Sequence, residues 1–301
     1  MTWDKPPVPL YITYTDPDGQ VWDLSDRSFA KGYVCSAISG IEGLPVMMQG
    51  IPLLDGTTVP TIYLPQTGTI GIAILVGRPS SGDQEAYYDL LDGITTAFYN
   101  RRNQNPAPGT LTIRRPDGTT RNIQTYTTSG LNTPDVGIND MTLYSFALST
   151  PDPYWSDVVA ESLLFQLPQN AGILPVLPVV LDGPNVIGDV TIDYFGKAPS
   201  YPTWTIVGPG TPTMTNHTTG RSWGLNTAIA AGKTVVVETK RGKQYAINIT
   251  DNINIWNQLV FSGPHDLWPL AEGENKITVS MANATTASSV NMQYFNRWVR
   301  A

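Results

Sequence analysis

The stretch Met141-Thr142-Leu143-Tyr144-Ser145-Phe146-Ala147-Leu148, running into Thr150-Pro151-Asp152-Pro153-Tyr154-Trp155, decides how the chain is to be read. The first segment alternates along its length, the period-two pattern of a strand with one buried face. The second segment ends that strand, because two prolines around an aspartate remove backbone donors and stiffen the exit. A first domain, residues 1–157, closes here. A second, residues 158–301, follows.

On the N-terminal side the pattern is strands joined by tight turns. Leu10-Tyr11-Ile12-Thr13-Tyr14-Thr15 is β-branched and aromatic, Asp16-Pro17-Asp18-Gly19 supplies a turn, and Gln20-Val21-Trp22-Asp23-Leu24 returns. Proline presets φ and glycine accepts a positive φ, so this reads as a hairpin. Thr110–Arg115, Pro116-Asp117-Gly118 and Arg121–Gln124 repeat the device. Between the hairpins, glycines and prolines break up residues 40–65, and Ile70–Gly77 is an apolar run expected to be a strand. One segment has a different period. From Asp83 to Arg102, apolar residues fall at Tyr87, Leu90, Leu91, Ile94, Ala97 and Phe98, a helical spacing. Ser81 with Gln84 resembles a capping box, Asp83 and Glu85 suit the helix start, and Arg101 and Arg102 suit its end, with Pro106 blocking continuation. Gly93 weakens the middle. The helix is expected to cover one sheet face.

On the C-terminal side nearly everything reads as strand. Clear runs are 188–194, 202–207, 233–238, 244–249, 276–281 and 290–295, separated by turn residues at near-regular intervals. That rhythm is the mark of an antiparallel sandwich. The apolar, proline-punctuated stretch 163–185 reads as short strands and crossovers, since flexible linkers are polar.

Composition agrees with a mainly β, two-domain protein. The 301 residues include 27 Gly and 25 Pro, which disfavour a helical bundle. Charged residues are 14%, too few for a coiled coil or a charged tail. Hydrophobic residues are 41%, with 8 Trp and 14 Tyr, enough for two cores. A net charge of -7 argues against a general nucleic-acid binder, which needs a basic face. The single cysteine, Cys35, permits no intrachain disulfide and reads as a small buried residue, because a reactive thiol needs partners and the only histidines are His217 and His265. Residues 1–7 lack a basic-then-apolar signal pattern and no apolar run is long enough to cross a membrane, so folding in a cytoplasm without membrane insertion is expected.

No catalytic constellation stands out. There is no phosphate-cradling glycine loop, no His-x-x-x-His or Cys-x-x-Cys metal spacing and no Gly-x-Ser-x-Gly elbow. Catalytic, metal and cofactor sites are therefore expected to be absent. His265-Asp266 reads as loop structure. Asp193 with Glu238 is a conceivable carboxylate pair for glycoside hydrolysis, yet exposed strand charge accounts for both. For stacking on sugar the candidates are Trp204, Trp223 and Trp268. Trp204 alternates with Ile206 and reads as core, and Trp268 between Leu267 and Pro269 reads as packing. Trp223, framed by Arg221, Asn226 and the Thr218-Thr219-Gly220 turn, is the expected exposed ring and the candidate glycan or partner contact.

Several segments in order carry a family likeness: Thr150-Pro151-Asp152-Pro153-Tyr154-Trp155; Gly196-Lys197-Ala198-Pro199-Ser200-Tyr201-Pro202-Thr203-Trp204-Thr205-Ile206-Val207-Gly208-Pro209; Asn216-His217-Thr218-Thr219-Gly220; Ala231–Thr239; and Asp266-Leu267-Trp268-Pro269-Leu270 with Glu272-Gly273-Glu274-Asn275. Together they resemble the distal tail proteins of long-tailed bacteriophages, called minor tail proteins in phages of actinobacteria. The likeness covers most of the C-terminal half and is looser before it. It implies an N-terminal belt domain with one helix closing into a homo-hexameric ring, and a galectin-like or carbohydrate-module-like C-terminal sandwich. It implies a place at the distal tail tip of a virion assembled in the bacterial cytoplasm. There the ring would join the tail tube protein to the tail-tip hub, carry receptor-binding proteins or touch host glycan, and let DNA through its lumen. The competing reading is a carbohydrate-binding module that recognises host cell-wall glycan.

Overall fold

The alternating segment at 141–148 is a strand in the computed structural model, which describes residues 10–52, 58–80, 84–99, 101–102, 105–131, 141–167, 186–263 and 267–301. The fold is mainly β with one α-helix. The chain divides into two compact units, Met1–Val158 with Trp298–Ala301, and Val159–Arg297. The last four residues thus lie with the first unit, a return for which the sequence carries no local signal.

Unit 1 contains β1 (Tyr11–Thr15), β2 (Val21–Asp23), β3 (Tyr33–Ser39), β4 (Val46–Pro52), β5 (Thr58–Pro65), β6 (Gly68–Gly77), α1 (Gln84–Phe98), β7 (Arg101–Arg102), β8 (Asn105–Pro106), β9 (Gly109–Arg114), β10 (Thr120–Ser129), β11 (Met141–Thr150) and β12 (Trp155–Asp157). The main sheet runs β2-β1-β9-β10-β11-β6-β3, with β12 beside β10. Both expected hairpins form, and for the stated reason. Asp16 Oδ1 accepts the backbone N–H groups of Asp18 and Gln20 at 3.0 and 2.9 Å, and Gly19 takes φ 91°. In the second hairpin, Thr119 N–H donates to Asp117 Oδ1 at 2.9 Å and Gly118 takes φ 87°.

Strand β10 pairs with β9 through Thr125 and with β11 from Tyr126 on, so it carries the sheet from one part to the next. The inward residues Ile70, Ile72, Ile74 and Val76 of β6 and Tyr144, Phe146 and Leu148 of β11 share one core with Tyr87, Leu91, Ile94, Ala97 and Phe98 of α1. The Phe98 ring stacks between Tyr14 of β1, at 4.2 Å, and Phe146 of β11, at 4.3 Å. Gly93 has a use that propensity does not show: a Cβ there would lie 3.1 Å from the Trp22 ring, so glycine permits this close approach.

One expectation needs correction. The helix ends at Phe98 instead of reaching Arg102. Tyr99 N–H is shared between the carbonyls of Thr95 and Thr96, both at 3.1 Å, which tightens the last turn, and β7 then pairs back on β8. Arg101 and Arg102 therefore stand beyond the helix. Within the glycine- and proline-broken stretch 40–65, β4 and β5 form a hairpin with an irregular register at Gln49/Gly50. Ser81 and Asp83 lie outside the described residues.

Unit 2 contains β13 (Glu161–Gln166), β14 (Val186–Tyr194), β15 (Thr203–Val207), β16 (Thr211–Asn216), β17 (Arg221–Leu225), β18 (Thr234–Glu238), β19 (Tyr245–Asn248), β20 (Ile253–Asn254), a 3₁₀ turn at Trp256–Gln258, β21 (Leu259–Ser262), β22 (Gly273–Ala282) and β23 (Ser289–Tyr294). Two antiparallel sheets form, β13-β23-β15-β18-β19-β20 and β14-β22-β16-β17-β21. Their inward residues meet in a second core that includes Trp204, Ile206, Val235, Val237 and Met292 from the first sheet and Ile192, Met214, Trp223, Ile277 and Val279 from the second. All six runs expected as strands are strands. β16 and β17 were not foreseen. Pro212 in β16 reads as a strand breaker, but β17 starts to pair only at Thr213, so the missing N–H falls at the end of the ladder. Residues 168–185 and the His265-Asp266 pair lie outside the described residues.

Candidate interaction surfaces

The tryptophan expected to be exposed is buried. Trp223 is 1% exposed, in a strand flanked on both sides, opposite Met214 of β16 and Phe261 of β21. Its ring meets Trp204 edge-to-face at 5.9 Å, and Trp204 meets Trp268 in the same way at 5.5 Å. The three rings form one core cluster, as the alternation of Trp204 with Ile206 and the apolar flanks of Trp268 predict for those two. The reading of Trp223 as an exposed ring is corrected for a physical reason: the Thr218–Gly220 turn is tight, β17 starts at Arg221, and a residue two positions later points inward. Arg221 is half-buried and Asn226 is exposed. The Asn226 N–H donates to Gln258 O at 2.9 Å and its Oδ1 accepts from Thr227 Oγ1 at 2.9 Å. The three residues do not frame a stacking platform.

In unit 1, strands β3, β6 and β11 contain no Asp, Glu, Lys, Arg or His. Their inner residues pack on α1. On β11 the opposite face exposes Met141, at 48%, and Leu143, at 49%, followed by Ser145. Register places Ser145 opposite Ala73, and Ala147 and Ser39 opposite Gly71. Around these small side chains the surface dips into an open depression of about 370 Å³, lined in part by Ser39, Gly71, Ala73, Ser129, Ser145 and Ala147. The sheet ends at β3. Cys35 N–H donates to Leu24 O at 2.8 Å, and beyond that β3 has no other strand on its outer edge among the described residues. Edge strands in stable monomers usually carry charge or proline, and β3 carries neither. Burial pushes the Cys35 thiol pKa up, which fits a half-buried, unreactive residue. A second apolar element is the β4–β5 hairpin. It pairs with no other strand among the described residues and exposes Val46, Met48, Ile51, Ile62 and Leu64. A two-stranded ribbon of this kind is marginal in water by itself.

Neither unit gathers catalytic groups where the sequence offered them. Asp193 lies on β14 and Glu238 on β18, in different sheets, and Glu238 Oε2 accepts from Thr203 Oγ1 at 2.9 Å. His217 is exposed and pairs with Thr278 Oγ1 at 2.8 Å. Among the described residues no group of His, Cys, Asp and Glu could hold a metal ion, and no helix is long and apolar enough to cross a membrane.

The fold, mainly β with a single helix in unit 1 and an antiparallel sandwich in unit 2, is shared with phage tail structures. Among solved structures the chain is similar to the SPP1 Dit (gp 19.1) protein, described as a paradigm of the hub adsorption apparatus in phages that infect Gram-positive bacteria. The TM-score is 0.62 at 11% identity, over 96% of this chain and 99% of that one. It is also similar to a chain of the phage P2 baseplate in its activated conformation, with TM-score 0.54 and 12% identity. Coverage there is 94% of this chain and 97% of that chain in the Ca structure, and 95% and 98% in the Sr structure. No protein-family model and no curated protein sequence matches the chain.

Proposed function

We propose that the chain is a structural protein of a long-tailed bacteriophage, six copies of which close unit 1 into a ring at the distal end of the tail. The ring joins the tail tube to the tail-tip hub and the adsorption apparatus and leaves a lumen for DNA. Unit 2 serves as a docking platform for neighbouring tail-tip proteins. The role is architectural, without catalysis or cofactor. The observation that carries this reading is the charge-free face of β11, β6 and β3 ending in an edge strand without charge or proline. An open, neutral edge is a template for pairing with a further copy, and a repeated head-to-tail contact closes a ring. The fold likeness spans nearly the whole of both chains, which supports the same division of labour between two units. The net charge of -7 per copy gives the assembly an acidic field in which DNA passes without adhering.

The test is the solution mass of the full chain, by mass photometry and light scattering. Six chains are expected. Ala37→Lys, at an exposed position of β3, is expected to shift the population to monomers with an unchanged circular dichroism spectrum. A wild-type chain that stays monomeric at high concentration, or a hexamer that Ala37→Lys leaves intact, refutes the proposal.

A further inference from the structure

The β4–β5 hairpin presents apolar side chains on both of its faces. Cross-strand partners share a face, and the register pairs Met47 with Leu64 and Gln49 with Ile62. Ile62 and Leu64 therefore stand on one face, and Val46 and Met48, one position out of step, stand on the other. All four are exposed, Met48 at 60%. Neither strand contains Asp, Glu, Lys, Arg or His. Laid on its own unit, the hairpin would still leave one apolar face in water, so its composition is accounted for by contact with another molecule. A receiving surface lies on the same unit. The open depression of about 370 Å³ over β3, β6 and β11 is bordered by Ala37 and Ser39 of β3, Ala73 of β6 and Ser145 of β11. Met141 and Leu143 stand exposed on the same face of β11 as Ser145. Three neighbouring strands span about 10 Å, and the seven residues of β4 about 23 Å, so the hairpin is long enough to lie across all three.

We propose that the β4–β5 hairpin of one copy seats in this depression of the next copy, with Met48 as its central side chain. The inference rests on the ring reading and names a second contact of the same interface. Several features select a second copy as the occupant. Both surfaces are free of charge, so joining them desolvates no ion, whereas a charged occupant would lose its hydration on entering. Their sizes are complementary: the depression is bordered by Ala and Ser, and the hairpin offers long side chains, of which methionine adapts most easily to an irregular gap. Hairpin and depression are different patches of one unit, so the contact is head-to-tail and repeats from copy to copy, as a closing ring requires. Ala37 and Ser39 belong to the open edge strand β3 and also line the depression, so a copy paired on that edge already stands beside it.

The experiment is complementation between two variants of the full chain, read by sedimentation velocity. Met48→Asp puts a charge on the hairpin and Ser145→Asp puts one in the depression; both positions are exposed, so the circular dichroism spectrum and melting temperature are expected to be unchanged. Leu143→Asp, exposed beside the depression, repeats the second arm in case Ser145→Asp lowers the melting temperature. Each variant alone is expected to lose the six-chain species. Mixed in equal amounts, the two are expected to form a one-to-one dimer, because the intact hairpin of the Ser145→Asp chain meets the intact depression of the Met48→Asp chain. Growth stops there, since the other ends bring two carboxylates together. The proposal is overturned if either variant remains hexameric or if the mixture stays monomeric at high concentration. A hexamer that Ala37→Lys dissociates and Met48→Asp leaves intact refutes this contact alone, whereas a wild-type chain that is itself monomeric refutes the ring reading and this contact with it.

Discussion

The C-terminal return depends on one arginine. Arg121 of β10 pairs in register with Ile113 of β9 and with Asp157 of β12, and its side chain is only 6% exposed. Its guanidinium lies 4.0 Å from the centre of the Trp298 ring, and Nη1 donates to Arg300 O at 2.8 Å. Trp298 Nε1 in turn donates to Asp157 Oδ1 at 2.7 Å, and Ala301 N–H donates to Ile41 O at 2.9 Å. Arg121→Leu removes a cation–π contact of about 0.5–2 kcal/mol and a charge-assisted hydrogen bond of about 1.5–3 kcal/mol. The Nε–Asp157 approach at 4.0 Å is too long to add much. Against this, the wild-type guanidinium is desolvated. Burial is the largest cause of its lowered pKa, followed by repulsion from Arg115, and leucine recovers that cost. The net loss is expected to be about 2 kcal/mol, which lowers amide protection in residues 298–301 roughly thirtyfold. Hydrogen–deuterium exchange with peptide resolution reads it. Trp298→Phe keeps a ring under the guanidinium and loses only the indole donor, so about 1 kcal/mol is expected. Arg115→Leu breaks only a 3.7 Å pair with the exposed Asp117 and is expected to leave the tail unchanged. If Arg121→Leu changes tail protection by less than threefold, the return is held by something else and the reasoning fails.

Two other outcomes test the packing and the turns. A Cβ at Gly109 would lie 2.6 Å from Tyr14 Cε2 and closer still to Cζ and Oη, and the Tyr14 ring cannot retreat because it stacks on Phe98, so Gly109→Ala is expected to destabilise unit 1 by about 1–3 kcal/mol, seen as a lower thermal midpoint; an unchanged midpoint would show that the strand shifts freely. The side-chain and backbone hydrogen bonds from Thr119 hold the Asp117 carboxyl below its ordinary pKa, so the turn's extra stability is present above the unfolded carboxylate pKa and is lost as pH falls through the folded one; the Thr119 amide is expected to exchange faster below that pH in an NMR titration, and Asp117→Asn is expected to flatten the profile.

What the sequence made legible follows from how local each signal is. The two Pro-Asp-Gly hairpins, the helix and the six strand runs carry their information within a few residues, through φ preferences and periodicity, and they form as expected apart from the helix's last turn, which stops at Phe98. The tryptophans divide along the same line. Trp204 sits inside a visible alternation and is core, whereas Trp223 depends on where β17 begins, and a one-residue change of start turns the same side chain from outward to inward. The surfaces that matter for assembly and binding are less local still. No single segment of β3, β6 or β11 is unusual, and the neutral face exists only because residues near 37, 73 and 145 fall in register. The Arg121–Trp298 contact spans 177 positions, from Arg121 to Trp298. A chain can announce its strands from within each strand, but an edge, a seam or a returning tail is a relation between strands. The proposed ring sits on such a relation, so a substitution there, at Ala37, separates function from folding more cleanly than any change in the patterned cores.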